Sequence, residues 1–189
     1  EEITKQYATG IGEHQKIQLP DGSRVYMKGN TLITYSQNRE KSTERRVRLQ
    51  GMAYFQVRQQ LHKDVTTRFL VTTGNLTIEV TGTEFAVRNR SDRTRVKLNS
   101  GKVSLRIAGR INLVNMEPGE VVEYDPADRQ IISHRKETTS RDTWLKAFES
   151  PEKETKQTKP SKTTRSKEFH ENNSSRVQPQ SDNSKGSKP

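Results

Sequence analysis

The chain of 189 residues contains no cysteine, so disulfide frameworks and thiolate chemistry are excluded. Its compartment stays open on that ground, because reduced and oxidising locations both tolerate a cysteine-free protein. Apolar residues make up 28% and aromatic residues 6%, too few to fill a core that uses the whole chain. No stretch approaches the ~20 apolar residues of a membrane span, and no signal peptide opens the sequence. Residue 1 is a glutamate, which leads us to expect that the numbering begins inside a longer precursor.

The apolar deficit is uneven. Residues 151–189 hold only Phe169 and Val177 from the apolar set, in a run of Lys, Ser, Thr, Asn, Gln and Pro. Such a segment cannot bury enough surface to offset its ordering entropy, so a disordered, polar and basic tail is expected there. The net charge of +11 divides between both parts. Residues 1–150 carry 25 Lys and Arg against 18 Asp and Glu, and the tail nine against five. A basic balance favours acidic proteins, anionic lipid or nucleic acid as partners, and serves equally as a solubility device.

What is present in residues 1–137 is a period of two. Val47 and Leu49 fall on one side of their run, and after Gly51 so do Ala53, Phe55 and Val57. The same alternation runs through Phe69 and Val71, through Leu76, Ile78 and Val80, and through Phe85 and Val87. It resumes at Val96 and Leu98, and again at Val103, Leu105 and Ile107. Turn residues separate the runs, so the pattern predicts an all-β fold, an antiparallel sandwich or β-roll of many short strands. "QLPDGSRVYM" (18–27) predicts a hairpin, with Pro20 at the second turn position, Gly22 at positive φ and Asp21 bonding the backbone between them. One short helix is predicted over 138–150, where "SRDTWLKAFES" (140–150) sets Trp144, Leu145 and Phe148 on one face.

Catalysis has little support. His14, His62, His134 and His170 are scattered, without metal-ligand spacing, and there is no nucleophile motif or phosphate-binding glycine loop. No cofactor is implied and the chain reads as a non-enzyme.

The order of motifs resembles the periplasmic region of the FecR family, membrane-spanning anti-sigma regulators of cell-surface signalling in Gram-negative bacteria. "YATGIGEHQKIQLPDGSRVYM" is similar to the family's opening, with Leu19, Pro20, Asp21, Gly22 and Ser23 as its turn. "RRVRLQGMAYFQV" resembles the next block, with Gly51, Phe55 and Val57 in place and Met52 where an acid is usual. "FLVTTGNLTIEVTGTEFAV" carries Phe69, Val71, Gly82, Thr83, Phe85 and Val87. "VKLNSGKVSL" with Gly101 and "MEPGEVVEY" with Pro118, Gly119 and Glu120 complete the series. These positions read as turns and inward faces; Gly82 in particular suits a bulge or tight bend.

The resemblance implies a relay. A ligand-bound TonB-dependent outer-membrane transporter would contact this periplasmic region through its signalling domain. The state would pass through a single inner-membrane helix to a cytoplasmic segment that controls an extracytoplasmic-function sigma factor; neither segment is expected within this chain. In the alternation of a predicted hairpin 93–107, Arg93, Arg95, Lys97, Lys102 and Arg106 share the solvent side, a candidate surface for an acidic partner. An envelope-associated adhesive or glycan-binding β-sandwich is the alternative reading. A basic nucleic-acid binder, suggested by Arg45, Arg46 and Arg48 with Arg93, Arg95 and Lys97, is disfavoured because no aromatic residues interleave with the charges.

Overall fold

The computed structural model describes residues 2–38, 44–74, 76–90, 93–137 and 146. The predicted helix over 138–150, Lys146 apart, and the predicted tail lie outside them. The chain opens with β1 (Glu2–Thr9), β2 (Gln15–Gln18), β3 (Arg24–Met27), β4 (Thr31–Asn38) and the long β5 (Glu44–Gln56). A small hairpin, β6 (Leu61–His62) and β7 (Val65–Thr66), precedes β8 (Arg68–Thr73), β9 (Leu76–Val80) and β10 (Glu84–Asn89). Then follow β11 (Thr94–Ser100), β12 (Val103–Ile107), β13 (Leu113–Met116), β14 (Glu120–Asp125) and β15 (Gln130–Lys136).

Strand β5 organises the fold, because its two halves belong to different layers. Its first half pairs with β4 and, in parallel, with β8, which continues the layer through β9 and β12 to β13. Its second half pairs with β3 and β10, and that layer continues through β11 and β14 to β15. The outer strands β1 and β2 pair with β4 and β3. Every pairing except that of β5 with β8 is antiparallel.

The corner within β5 is Gly51, at φ +104°. A Cβ there would stand 2.5 Å from Thr31 Oγ1 and 2.6 Å from Asn30 O, so only glycine lets the strand pass from one layer to the next. A second corner is built where β9 crosses to β10 and β11 crosses back to β12. Gly82 and Gly101 meet there, and a Cβ on Gly101 would approach Gly82 O to 2.8 Å. Thr83 Oγ1 donates to Lys102 O at 3.0 Å and fastens the two crossings together.

The facing sides of the layers form one core. Phe55 stacks on Phe85 with ring centroids 5.1 Å apart, and Phe69 meets Phe55 edge-on at 6.2 Å. Phe55, Phe69, Val71, Phe85 and Val87 are fully buried, as their shared phase requires. Removing such a ring would cost about 3–5 kcal/mol, because the lost transfer energy is joined by the cavity left behind.

Candidate functional site

The turn between β2 and β3 carries the most constrained chemistry. Leu19 O accepts Gly22 N–H at 2.9 Å, and Gly22 sits at φ +80°. This geometry turns Asp21 into the protein, where its Oδ1 accepts Ser23 N–H at 2.9 Å and its Oδ2 accepts Ser23 Oγ–H at 2.8 Å. Facing it is Arg45, fully buried. Arg45 occupies the same strand phase as Val47 and Leu49, so β5 aims its guanidinium into the protein and not into water.

The guanidinium joins segments distant in sequence. Arg45 Nη1 donates to Asp21 Oδ2 at 2.8 Å and to Arg58 O at 2.8 Å. Its Nη2 donates to Thr67 O at 3.2 Å and Thr81 O at 3.3 Å, and its Cζ lies 5.2 Å from the centre of the Phe69 ring. Arg58 N–H in turn donates to Ser23 Oγ at 3.0 Å, and Gln60 Nε2 to Asp21 O at 2.7 Å. A fork of donors fits this cluster of carbonyls and one carboxylate, which a lysine's point charge could not satisfy. The arrangement is a lock, closed to solvent and offering no open coordination position.

Arg45 was grouped by sequence with exposed basic residues, and the structure corrects that reading. Position decides it: Arg46 and Arg48 alternate outward while Arg45 stays inside. The usable signal was the phase it shares with Val47 and Leu49.

The basic group on 93–107 also needs correction. Strands β11 and β12 do not pair as a hairpin, because the chain changes layer at Gly101 between them. Arg106 therefore lies on the other layer, 3.8 Å from Glu79, and Lys102 sits exposed on the crossing. Lys97 is only 1% exposed. Burial pushes its ammonium below its ordinary pKa, with Glu137 Oε2 at 3.7 Å opposing the shift. Arg95 is held between Glu137 at 2.5 Å and Glu123 at 3.5 Å. The cationic surface that remains gathers Arg88, Arg90, Arg93 and Arg95 with Glu123 around a hollow of about 260 Å³.

A larger cleft of about 600 Å³ lies at the Gly51 corner, lined in part by Thr9, Asn30, Met52, Asn89 and Arg90. Its lining includes neither carboxylate nor imidazole, so no acid–base pair converges there. Of the histidines, His134 Nε2 lies 2.9 Å from Glu120 Oε2 on the surface. Backbone Glu117 N–H and then His134 hold Glu120 below the ordinary carboxylate range. Among the described residues no group of His, Cys, Asp and Glu is arranged to hold a metal ion, and no helix is long and apolar enough to cross a membrane. Pro118 is exposed and Gly119 half-buried at the turn before β14, where Gly119 N–H donates to Leu98 O at 2.8 Å.

No curated protein matches the chain. Two crystal structures of a "putative anti-sigma factor" from Parabacteroides distasonis ATCC 8503 share its fold, each with a TM-score of 0.64 at 24% identity. They align over 76% and 75% of this chain, which spans only 65% and 64% of the length of theirs. Residues 5–104, more than half of the sequence and running from β1 into β12, match the family described as FecR protein. They include both partners of the buried lock and all three corner glycines, and the chain belongs to the FecR family.

Proposed function

We propose that this chain is the periplasmic β-domain of an anti-sigma regulator anchored in the inner membrane. In this reading it receives the ligand-bound state of a TonB-dependent transporter through that transporter's signalling domain. It relays the state through a membrane helix and a cytoplasmic segment, neither within this sequence, to an extracytoplasmic-function sigma factor. The observation that carries the proposal is the family match over residues 5–104.

The partner surface we assign is the arginine hollow on β10 and β11. Arg88 is exposed and Arg93 is 60% exposed, 3.9 Å from Glu123. With Arg95 held by Glu137 and Glu123, the exposed Arg88 and Arg93 carry the positive character of this patch. Such a patch would steer an acidic domain and raise its encounter rate more than its final affinity. The test is binding of the purified chain to the signalling domain of a TonB-dependent transporter encoded beside its gene. Saturable binding that weakens with salt is expected; no binding at any ionic strength would overturn the proposal.

A further inference from the structure

The cleft at the Gly51 corner and the arginine hollow are continuous, because Arg90 lines both. Cross-strand register joins them as well. On the outward side, Met52 of β5 stands opposite Arg88 of β10, Arg88 opposite Arg95 of β11, and Arg95 opposite Glu123 of β14. Met52 lines the cleft and the other three line the hollow, so one row of side chains runs from a largely uncharged opening into a cationic one. The cleft suits an apolar group. Thr9 Oγ1–H donates to Lys28 O at 2.7 Å, Thr31 Oγ1–H to Met52 O at 3.2 Å and Asn89 Nδ2–H to Leu49 O at 3.3 Å. These wall residues are thus engaged within the chain, while Ala8, Leu32 and Met52 supply apolar wall. Leu32 is 38% exposed, so apolar surface is there to be buried. The neighbouring loop is held in place: Asn30 N–H donates to Gly10 O at 2.9 Å, and Gly10 N–H to Glu13 Oε2 at 2.6 Å. Ile11, 91% exposed, is the next residue after Gly10. At about 600 Å³ the cleft falls within the roughly 300–1,000 Å³ of openings that enclose ligands.

We propose that the cleft takes one large aliphatic or aromatic side chain from an acidic segment of the partner, while carboxylates beside that anchor lie on Arg88 and Arg93. This rests on the hollow being the partner surface, and adds what the partner must carry. Met52 and Arg88 sit on adjacent strands, about 4.8 Å apart, so an acid within one or two residues of the anchor reaches the nearest arginine. An apolar anchor in a pocket with charged groups at its rim is the arrangement that concentrates binding energy. The two halves act on different rates. Charge governs the encounter, and the buried anchor governs how long the complex lasts.

The test measures association and dissociation separately, with the full chain and the signalling domain of the TonB-dependent transporter encoded beside its gene. Leu32→Asn removes apolar wall without changing charge. It is expected to speed dissociation about tenfold and to leave the association rate and its salt dependence as in the wild type. Leu113→Asn, at a leucine 43% exposed on the far edge strand of the same layer, is expected to change neither rate. The chain has three methionines, so methyl-labelled methionine gives a second reading that needs no variant and serves if Leu32→Asn fails to fold. At saturation with the signalling domain the Met52 methyl signal is expected to shift, and that of Met116, 3% exposed on the far edge strand, to stay. Wild-type dissociation in a folded Leu32→Asn protein, equal acceleration by Leu113→Asn, or a Met52 signal that does not move would overturn the inference. Slower association in Arg88→Glu would in that case still leave the hollow as the partner surface. Absence of binding by the wild type would remove the partner reading itself, and the anchor with it.

Discussion

Arg45 Nη1 lies 2.8 Å from Asp21 Oδ2, and neither side chain is exposed to solvent. This contact explains in physical terms why a Pro-Asp-Gly-Ser turn and an arginine ahead of an alternating strand occur in one protein. The turn delivers a carboxylate to a buried site, and the strand delivers the matching cation. Desolvating both ions costs energy that their pairing and the surrounding carbonyls must offset, so the gain lies chiefly in fixing how turn, strand and corner assemble.

Removing one partner should therefore be worse than removing both. Asp21→Ala strands a buried guanidinium and is expected to lose about 3–5 kcal/mol of stability, as is Arg45→Ala. The double variant Asp21→Leu with Arg45→Met should recover part of that loss. Urea denaturation of the four proteins measures the cycle. A single-site loss below ~1 kcal/mol, the value of an exposed ion pair, would show that the lock carries no buried charge.

Gly51→Ala tests the corner in β5. Both the positive φ and the 2.5 Å approach to Thr31 Oγ1 oppose a Cβ. Gly109, at φ +81° with open space around its Cβ position, isolates the backbone contribution. Gly109→Ala is expected to cost about 1 kcal/mol and Gly51→Ala clearly more. Equal shifts in melting temperature would mean that the layers do not meet tightly at Gly51.

The acid limb of stability should depend on Glu120. Its folded pKa is depressed by Glu117 N–H and then by His134, so its contribution is complete above the ordinary value of 4.5 and is lost as pH falls through the folded value. Glu120→Gln should flatten the decline in that window. Glu44, lowered chiefly by its hydrogen bond from Arg46, maintains a residual slope in the same range. Urea midpoints that decline with the wild-type slope in Glu120→Gln would assign the limb to other carboxylates.

The arginine hollow separates binding from folding. Arg88→Glu and Arg93→Glu alter exposed side chains and should change stability by no more than ~0.5 kcal/mol. If the hollow receives an acidic domain, association should slow severalfold at low salt and converge on the wild-type rate at high salt. An association rate that ignores both the substitutions and the salt would remove the hollow as the partner surface.

Much of the fold is legible in the sequence because alternation fixes which face of a strand is buried. Phe55, Phe69, Phe85 and Leu98 follow from phase alone. Alternation is silent on pairing, which is why 93–107 reads as a hairpin although β11 and β12 belong to different layers. It is equally silent on a strand that serves two layers, since β5 keeps one phase through its corner. Charge misleads where the partner is remote: Arg45 is paired 24 positions away and Lys97 lies near Glu137, so neither behaves as a surface cation. The turn at Pro20, Asp21 and Gly22 was readable as a turn, and its buried partner was not.

The central claim is that this β-domain conveys a signal to a sigma factor, and a sigma-dependent reporter in cells that express the complete regulator measures it most directly. With the transporter's ligand supplied, the wild-type protein is expected to switch the reporter. Arg88→Glu with Arg93→Glu should blunt that response while the protein still accumulates at wild-type level. A reporter that responds equally to ligand when residues 5–104 are deleted from a regulator still inserted in the membrane would contradict the account.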